Sequence, residues 1–331
     1  MRTILFAVFL CLPSLAAQAQ GAPTVYRGAC DGSAAAALDA NHFVAANDDE
    51  NSLRIYRIGT PKPIATVDLN DVLEPEKKKD KKTPKEVDIE GAARVGDRIY
   101  WIGSHARDSK GDEETSRHRF FATEIKPGGA NGPSILPPTR SYADLLKHLI
   151  ALLPELDSKD PPEEKKGFNI EGLAATPQGG LLIGLRNPRP NDKAIVVQLT
   201  NPDAVVPQSA SAKPAPPQFG STSFLDLGGR GIRSIEYIGD RYVIVAGPFG
   251  DGDNDFALYS WAGPGSEAKP EASLVVGNLK PEMLFNFKPE ALFATSNPKE
   301  VYLLSDDGTD TCKDLKDSNE KTFRGITVRL D

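Results

Sequence analysis

One strand–turn–strand pattern occurs five times in this sequence and limits the fold more than any other feature. Each copy starts with small or apolar residues, passes through a turn with Gly, Asp, Asn or Pro, and ends in a β-prone run. A third β-prone run follows every copy, and a fourth follows copies one, three and four. Four antiparallel strands per unit are typical of a β-propeller, so we predict an all-β protein with five blades. The copies begin at Asp31, Asp88, Asn169, Ser234 and Lys288.

The fifth copy lacks a fourth strand of its own, and the segment that starts at Thr24 supplies a candidate. We therefore expect an N-terminal strand to close the ring. Cys30 follows this strand directly, and Cys312 lies in copy five. Two cysteines in an oxidising compartment indicate a disulfide, which would lock the seam of the ring. Two buried free thiols are the alternative.

The first residues have the form of a secretory signal peptide. A short charged start precedes an apolar run from Ile4 to Ala16, and Ala17-Gln18-Ala19 is a small-x-small cleavage signal. We expect cleavage after Ala19, so that residues 20–331 form one propeller domain, periplasmic or secreted and monomeric. A lipid anchor at Cys11 is the less favoured alternative, because Phe9 and Leu10 precede it instead of small residues. No later stretch is apolar enough to span a membrane.

Charge and missing motifs exclude several functions. The formal net charge is −7, which disfavours nucleic acid as a partner. The chain contains no G-x-S-x-G, no H-E-x-x-H, no phosphate-binding loop and no cysteine pair with zinc spacing. We therefore expect no nucleotide cofactor, and neither a serine hydrolase nor a zinc protease.

An insertion is predicted at about residues 106–168. It contains apolar residues at helical spacing from Tyr142 to Leu153, which predicts an amphipathic helix over about 142–153. Such a helix either covers the site as a lid or packs on the side of a blade.

The first strand of each blade lines the channel of a propeller, so aligned copies predict which side chains meet there. Four glutamates share one column, and a second ring of mostly oxygen-bearing residues stands two positions earlier. Four carboxylates in one channel repel one another, so they must be protonated, paired with arginine or neutralised by a cation such as Ca²⁺. A structural role without metal is the alternative. The column holds Glu90, Glu171, Glu236 and Glu290, with Ser33 in blade one; the second ring holds Asp31, Asp88, Asn169, Ser234 and Lys288.

The second strand of each blade returns to the same rim, where the residues differ from blade to blade. Such variation favours a ligand site. His105 is a candidate general acid or base, and Arg186, Arg233 and Arg107 are candidates to hold an anion or to pair with the glutamates. Further rim candidates are Asp48, Asp49, Asn187, Asp251, Asp306 and Asp307.

Several strings resemble a bacterial family known only as domain of unknown function thirty-six-sixteen. They are CDGSAAAALD, DIEGAARVGDRIYWIGSHAR, NIEGLAATPQGGLLIGLRNP, GGRGIRSIEYIGDRYVIVAGP and KPEALF…LLSDDG, and they cover nearly the whole mature chain. This family brings no established activity. The short I-E-G-L-A motif also looks like one in secreted esterase-like phytase propellers, which implies a calcium-dependent phosphoesterase.

These observations lead to one leading function and two alternatives. The leading hypothesis is a divalent-cation-dependent hydrolase that acts on a phosphoester or a related small anionic ester at the channel rim. A propeller that binds a ligand or a protein without catalysis is the first alternative. A lactonase that uses the same metal is the second.

Overall fold

The repeats fold into five antiparallel sheets, arranged as blades around a channel. The structure, a computed structural model, describes residues 22–78, 82–129, 132–250, 255–275, 287–308, 312, 315 and 317–330. The first strands of the five blades contact one another in a closed ring. The predicted signal peptide at residues 1–19 lies outside the described residues.

Twenty-one strands are described. Blade one contains β2 (Ala34–Ala37), β3 (His42–Asn47), β4 (Glu50–Arg57) and β5 (Ala65–Asp68). Blade two contains β6 (Ile89–Val95), β7 (Arg98–Gly103), β8 (Phe120–Gly129), β9 (Gly132–Leu136) and β10 (Ser141–Tyr142). Blade three contains β11 (Asn169–Ala175), β12 (Leu181–Asn187), β13 (Lys193–Leu199) and β14 (Phe219–Asp226). Blade four contains β15 (Gly231–Ile238), β16 (Arg241–Gly247), β17 (Ala257–Trp261) and β18 (Ala268–Val275). Blade five contains β19 (Lys288–Ala294), β20 (Glu300–Asp306), β21 (Thr322–Arg329) and β1 (Thr24–Arg27).

The outer strand of blade two, which the sequence did not reveal, is split into two pieces. Both β9 and β10 pair with β8, at Leu136↔Glu124 and at Ser141↔Phe121. This edge is therefore built from residues within the predicted insertion at 106–168. The insertion proper is correspondingly shorter than predicted, because β8, β9 and β10 belong to the blade.

The N-terminal strand closes the ring as predicted. β1 pairs with β21, with Thr24 opposite Gly325, so blade five contains strands from both ends of the described chain. A disulfide joins Cys30 to Cys312, with their Cα atoms 5.7 Å apart, and this confirms the predicted pairing. An aromatic cluster fills the seam, where the Tyr26 and Tyr302 hydroxyls lie 2.7 Å apart.

The hydrophobic core is divided among the blade interfaces. In the described part of the chain, five apolar clusters each join two neighbouring blades. The cluster between blades one and two, for example, brings Leu53 of β4 against Trp101 of β7. Burial of apolar area at every interface supplies the main favourable free energy of the fold. The ring is therefore held by packing between blades and sealed covalently at one seam.

Three short α-helices accompany the strands: α1 (Asn70–Leu73), α2 (Leu145–Leu152) and α3 (Pro202–Val205). The predicted amphipathic helix is α2, and its apolar face packs on blades two and three through Leu145 and Leu149. This helix is docked and is not a lid. The loop after it reaches the channel, however, where Pro162 and Glu163 line the main cavity. No helix among the described residues is both long and apolar enough to cross a membrane.

Candidate functional site

A cavity of about 530 Å³ opens at the end of the channel where the first strands begin, and we call this end the channel mouth. Its described lining contains nine carboxylate residues against five basic ones. This excess of negative charge favours a cation as part of any bound ligand. The carboxylates are Asp31, Asp48, Asp49, Asp88, Glu90, Glu163, Glu171, Glu290 and Asp306; the basic residues are Arg117, Arg186, Arg233, Lys288 and Lys321.

A β-bulge at one register in blades two to five sets the channel-facing ring. The bulged residue is Glu90 in β6, Glu171 in β11, Arg233 in β15 and Glu290 in β19. A bulge inserts one unpaired residue and re-aims its side chain, so these four line the cavity. The predicted column therefore needs one correction. Glu236 lies three residues beyond the bulge and lines a different cavity, at the other end of the channel.

Five carboxylate residues form a cluster on the side of blades one and two, which we call the acidic cluster. Carboxylate oxygens of Asp31, Asp48 and Asp49 lie within 4.8 Å of one another, and so do those of Asp48, Asp88 and Glu90. Asp48 thus belongs to both groups. Two oxygens bound to one Ca²⁺ lie at most about 5 Å apart, because each Ca–O distance is about 2.3–2.6 Å. The spacing therefore fits a Ca²⁺ ligand shell.

Asp31 is the most buried member of the acidic cluster. It is only 3% exposed, and its Oδ1 has no hydrogen-bond donor in the described structure. Its backbone forms an isolated bridge with Asp306, next to the disulfide at Cys30. The seam of the ring therefore fixes a buried carboxyl group that faces other carboxylates. A buried acceptor without a donor is costly unless a proton or a cation satisfies it.

Burial and mutual repulsion raise the pKa values of three members of this cluster, Asp31, Asp48 and Glu90. Burial is the main cause of the strong rise in the pKa of Asp31, and Asp48 adds to it. Burial also raises the pKa of Asp48 to about 7, although its hydrogen bond with Asp31 opposes the shift. The pKa of Glu90 is raised well above its usual range by burial and then by Asp88. Without a cation, burial and repulsion therefore favour the protonated forms of Asp31, Asp48 and Glu90.

Asp88 differs from the rest of the cluster because it forms an ion pair with a basic side chain, Arg117. Burial raises its pKa, but Arg117 and the Ser104 hydroxyl group oppose the rise. The Arg117 Nη1 atom lies 3.2 Å from Asp88 Oδ2. Asp88 also has a positive φ of 58°, a strained conformation for a residue other than glycine. Its side chain is therefore held in place by neighbours at some conformational cost.

The opposite side of the cavity is a salt-bridge network. Arg186 Nη1 lies 3.0 Å from Glu171 Oε1, and Arg233 Nε lies 2.9 Å from Glu171 Oε2. Arg233 also pairs with Glu290. Arg186 and Arg233 were candidates to hold an anion, but these contacts commit their guanidinium groups to the channel glutamates. Glu171 and Glu290, predicted as metal ligands, are likewise neutralised by arginine.

His105 does not reach the cavity. It is 1% exposed, its Nδ1 contacts the Gly103 carbonyl oxygen at 2.8 Å, and its ring stacks on His118. Burial, together with His118, lowers its pKa to about 3. A neutral imidazole outside the cavity does not serve as the proton donor that the sequence suggested.

The remaining predicted residues divide between the cavity and its supports. Asp49, Asn169 and Asp306 line the cavity. Asn169 also donates a hydrogen bond from Nδ2 to Glu171 at 2.9 Å, while its own Oδ1 has no donor in the described structure. Arg107 instead holds the insertion through the Ser158 carbonyl oxygen.

Asn187 and Asp307 are the other two supports. The Asn187 Nδ2 atom donates to the Pro162 carbonyl oxygen at 2.9 Å. Asp307 pairs with Arg324, with Nη2 and Oδ1 at 2.6 Å. Both lie outside the cavity lining, so they fix the loops of the mouth. Asp251 lies outside the described residues.

Three functional candidates were missed or underrated in the sequence. Asp48 stands in the turn between β3 and β4, where Asn47 Oδ1 accepts a hydrogen bond from the Asp49 backbone N–H. Lys288, at the start of β19, has no ion pair and no side-chain hydrogen bond among the described residues. Arg117 comes from the connection between β7 and β8, where no strand pattern gives the register. For Asp48 and Lys288 the sequence did contain a signal, because both occupy positions that recur at the rim in every copy of the repeat. For Arg117 it contained none.

A family model supports the resemblance found in the sequence. The model, described as "Protein of unknown function (DUF3616)", matches residues 31–123 and 143–291. The chain belongs to this family. No curated protein matches the sequence. The likeness to the esterase-like phytases is not shown by these comparisons.

Solved propellers resemble the fold only loosely. Glutaminyl cyclase from Myxococcus xanthus has a TM-score of 0.46 and 13% identity, with 95% of this chain and 97% of that chain covered. The PQQ-bound aldose sugar dehydrogenase from Streptomyces coelicolor has a TM-score of 0.41 and 13% identity, with 95% and 100% covered. A luciferin-regenerating enzyme has a TM-score of 0.40 and 9% identity, with 93% and 95% covered. Similarity at this level carries no inference about activity.

Proposed function

We propose that this propeller binds a divalent cation, Ca²⁺ by its donor set, at the acidic cluster and hydrolyses a small anionic ester such as a phosphoester at the channel mouth. The observation that carries the proposal is Asp31. This residue is 3% exposed, its Oδ1 lacks a donor among the described residues, and its carboxylate lies within ligand distance of Asp48 and Asp49. All the donors are oxygens, which hard cations such as Ca²⁺ prefer.

A cation explains the acidic cluster better than arginine does. Arg117 is the basic partner of Asp88, while Arg186 and Arg233 contact Glu171, Glu290 and a backbone carbonyl oxygen. The negative charge of Asp31, Asp48 and Glu90 is therefore left to protons or to a metal. Burial of several like charges without a counter-charge is unfavourable, and a divalent cation removes both the repulsion and the desolvation penalty.

Lys288 is the group best placed to hold the anionic part of a substrate. Its ammonium group is uncommitted among the described residues, and its backbone pairs with Asp306, which approaches Asp31 through the bridge at the seam. An anion that contacts both the cation and Lys288 would thus lie across blades one and five. A bound divalent cation would polarise the ester oxygen and acidify a water molecule. Pro162 and Glu163 also line the mouth.

One observation favours a second candidate, a propeller that binds its ligand without catalysis. The described lining contains no histidine, and His105 is buried elsewhere as a neutral group. The described lining of the channel mouth therefore contains charged groups that can bind a cation and an anion, but no imidazole that could transfer a proton. A lactonase would use the same cation with a different ester.

Metal content and turnover test these alternatives together. Full-length protein, stripped with chelator, is titrated with Ca²⁺ by calorimetry and assayed on p-nitrophenyl phosphate and on a simple lactone. We expect saturable Ca²⁺ binding and chelator-sensitive phosphoester turnover. Asp48→Asn should weaken Ca²⁺ binding at least about tenfold, because it removes the residue shared by both groups. Lys288→Ala should raise KM and leave Ca²⁺ binding unchanged.

The matched control is Asp112→Asn, an exposed aspartate outside the cavity. Ca²⁺ binding without turnover on either ester would favour the binding propeller, and turnover of the lactone alone would favour the lactonase. Wild-type protein that is folded and binds no Ca²⁺ would refute the proposal.

A further inference from the structure

A second cavity, of about 500 Å³, lies at the end of the channel opposite the channel mouth, and we call it the lower mouth. It opens where the first strands of blades one, two and five end, with Glu236 of blade four on its wall. Part of the wall is small and apolar and is formed by Ala36, Ala37, Ala40 and Ala294. A cavity of this size is large enough for an organic molecule.

Glu236 is the acidic group of the lower mouth without a cationic partner. Among the described residues it forms no ion pair within 4.0 Å. Arg94 lines the same cavity, and its Nη1 donates to the carbonyl oxygens of Ala37 and Leu38 at 2.9 and 2.8 Å. Asp39, the other acid of this wall, contacts the His42 ring at 2.9 Å. Arg94 and Asp39 thus have polar partners of their own, whereas Glu236 has no ion pair among the described residues.

The surroundings of Glu236 favour its neutral form. Burial raises its pKa to about 8, although the Tyr237 backbone N–H and Arg94 oppose the shift. One carboxyl group does not make a Ca²⁺ or Mg²⁺ site, because these ions need six or more oxygen ligands. An organic cation needs only one counter-charge and a wall for its alkyl part. The alanine methyl groups supply such a wall.

We propose that the lower mouth is a separate binding site for an organic cation with an ammonium or guanidinium head, in which Glu236 ionises as the counter-charge. This site is independent of the metal at the channel mouth. The bulge ring of Glu90, Glu171, Arg233 and Glu290 lies at the other end of the first strands. Because Glu236 must lose its proton when the cation binds, occupancy and proton release are coupled.

Calorimetry with n-butylammonium as the probe tests this site, with n-butanol as its uncharged counterpart. The titration is run at about pH 7 in two buffers of different ionisation enthalpy. We expect saturable binding of n-butylammonium, release of close to one proton, and no binding of n-butanol. Affinity should fall about tenfold for each pH unit below about 8, since the alkylammonium stays protonated throughout this range.

Two variants distinguish a specific site from a general charge effect. Glu236→Gln should weaken binding at least about tenfold and abolish both proton release and pH dependence. Glu267→Gln removes the same charge from an exposed position and should bind like the wild type. Binding that Glu236→Gln leaves unchanged, or wild-type protein that shows no saturable binding, would overturn the proposal. Ca²⁺ titration should be unaltered in Glu236→Gln, so failure here is separable from failure at the channel mouth.

Discussion

Removal of the Arg233 side chain is the perturbation whose cost the structure defines most clearly. This guanidinium is 8% exposed and lies between Glu171, which is 4% exposed, and Glu290, which is 12% exposed. Arg233→Met leaves Arg186 alone to balance two buried carboxylates. Loss of one partner from a buried ion pair costs about 3–5 kcal/mol, because the remaining charge is no longer compensated. We expect a loss of that size at about pH 8.

The pH dependence of this loss is part of the prediction. Without Arg233, one of the two glutamates will have a folded-state pKa above its unfolded value. Such a group stabilises the protein most below the unfolded pKa, and this stabilisation disappears as pH rises through the folded pKa. The cost of Arg233→Met should therefore be smaller at about pH 5 than at about pH 8.

Denaturant unfolding at both pH values measures the effect. Arg57→Met, which truncates an exposed arginine of β4, serves as the control and should cost little. Adding Glu290→Gln to Arg233→Met should recover part of the loss, since it removes the unpaired charge. A cost below about 1 kcal/mol, or one that is equal at both pH values, would refute the role assigned to this network.

Three further predictions concern the seam, the acidic cluster and the buried histidine. Replacement of Cys30 and Cys312 by serine removes a disulfide between residues 282 positions apart, and the chain-entropy model gives such a crosslink about 5 kcal/mol of stability. We therefore expect a lower free energy of unfolding. Because Cys30 precedes Asp31, we also expect weaker Ca²⁺ binding by calorimetry. With chelator, the raised pKa values of Asp31 and Asp48 make the folded protein bind more protons than the unfolded chain. The contribution of these two groups to stability should therefore decline as pH rises from the unfolded pKa of an aspartate, about 4, through the folded pKa of Asp48, about 7. The rise in Tm caused by Ca²⁺ should be larger at about pH 8 than at about pH 5, and an equal rise would count against metal binding there. His105→Asn should lower Tm, because His105 is buried, but it should leave Ca²⁺ affinity and ester turnover unchanged. A selective loss of turnover would instead indicate that His105 takes part in catalysis.

The fold was predictable because its signals are local. A β-prone run such as RIYWIG needs no knowledge of its neighbours to be recognised as a strand, and five such copies determine the architecture. Cys30 and Cys312 located the seam for a different reason: few cysteine pairings were possible. The outer edge of blade two was missed because β9 and β10 are short and broken by a loop.

The site was only partly predictable because it depends on register. Sequence similarity between the copies aligned Glu236 with Glu90. The bulge, however, sets which position faces the channel mouth, and in blade four the residue at that position is Arg233. Counting back from the turn would have found it, because Glu90 stands six residues before Gly96 and Arg233 six before Gly239. No such count was possible for Arg117, whose position depends on the path of a long connection.

The pairing of charges was also beyond the sequence. Four carboxylates in one column could be neutralised by protons, by arginine or by a metal ion. In the structure, the carboxylates paired with arginine lie on one side of the cavity and the acidic cluster lies on the other. Arginine neutralises Glu171 and Glu290, while Asp31, Asp48 and Glu90 form no ion pair with a basic side chain among the described residues. Which option applies to which carboxylate follows from distances of a few ångströms, and these depend on how neighbouring blades pack.

A crystal structure of the Ca²⁺-loaded protein at about neutral pH tests the central claim most directly. We predict one or two cations in the acidic cluster, bound by Asp48 and by Asp31 or Glu90 at about 2.3–2.6 Å. A cluster without a cation at saturating Ca²⁺, in which Asp31 and Asp48 share a proton, would contradict it.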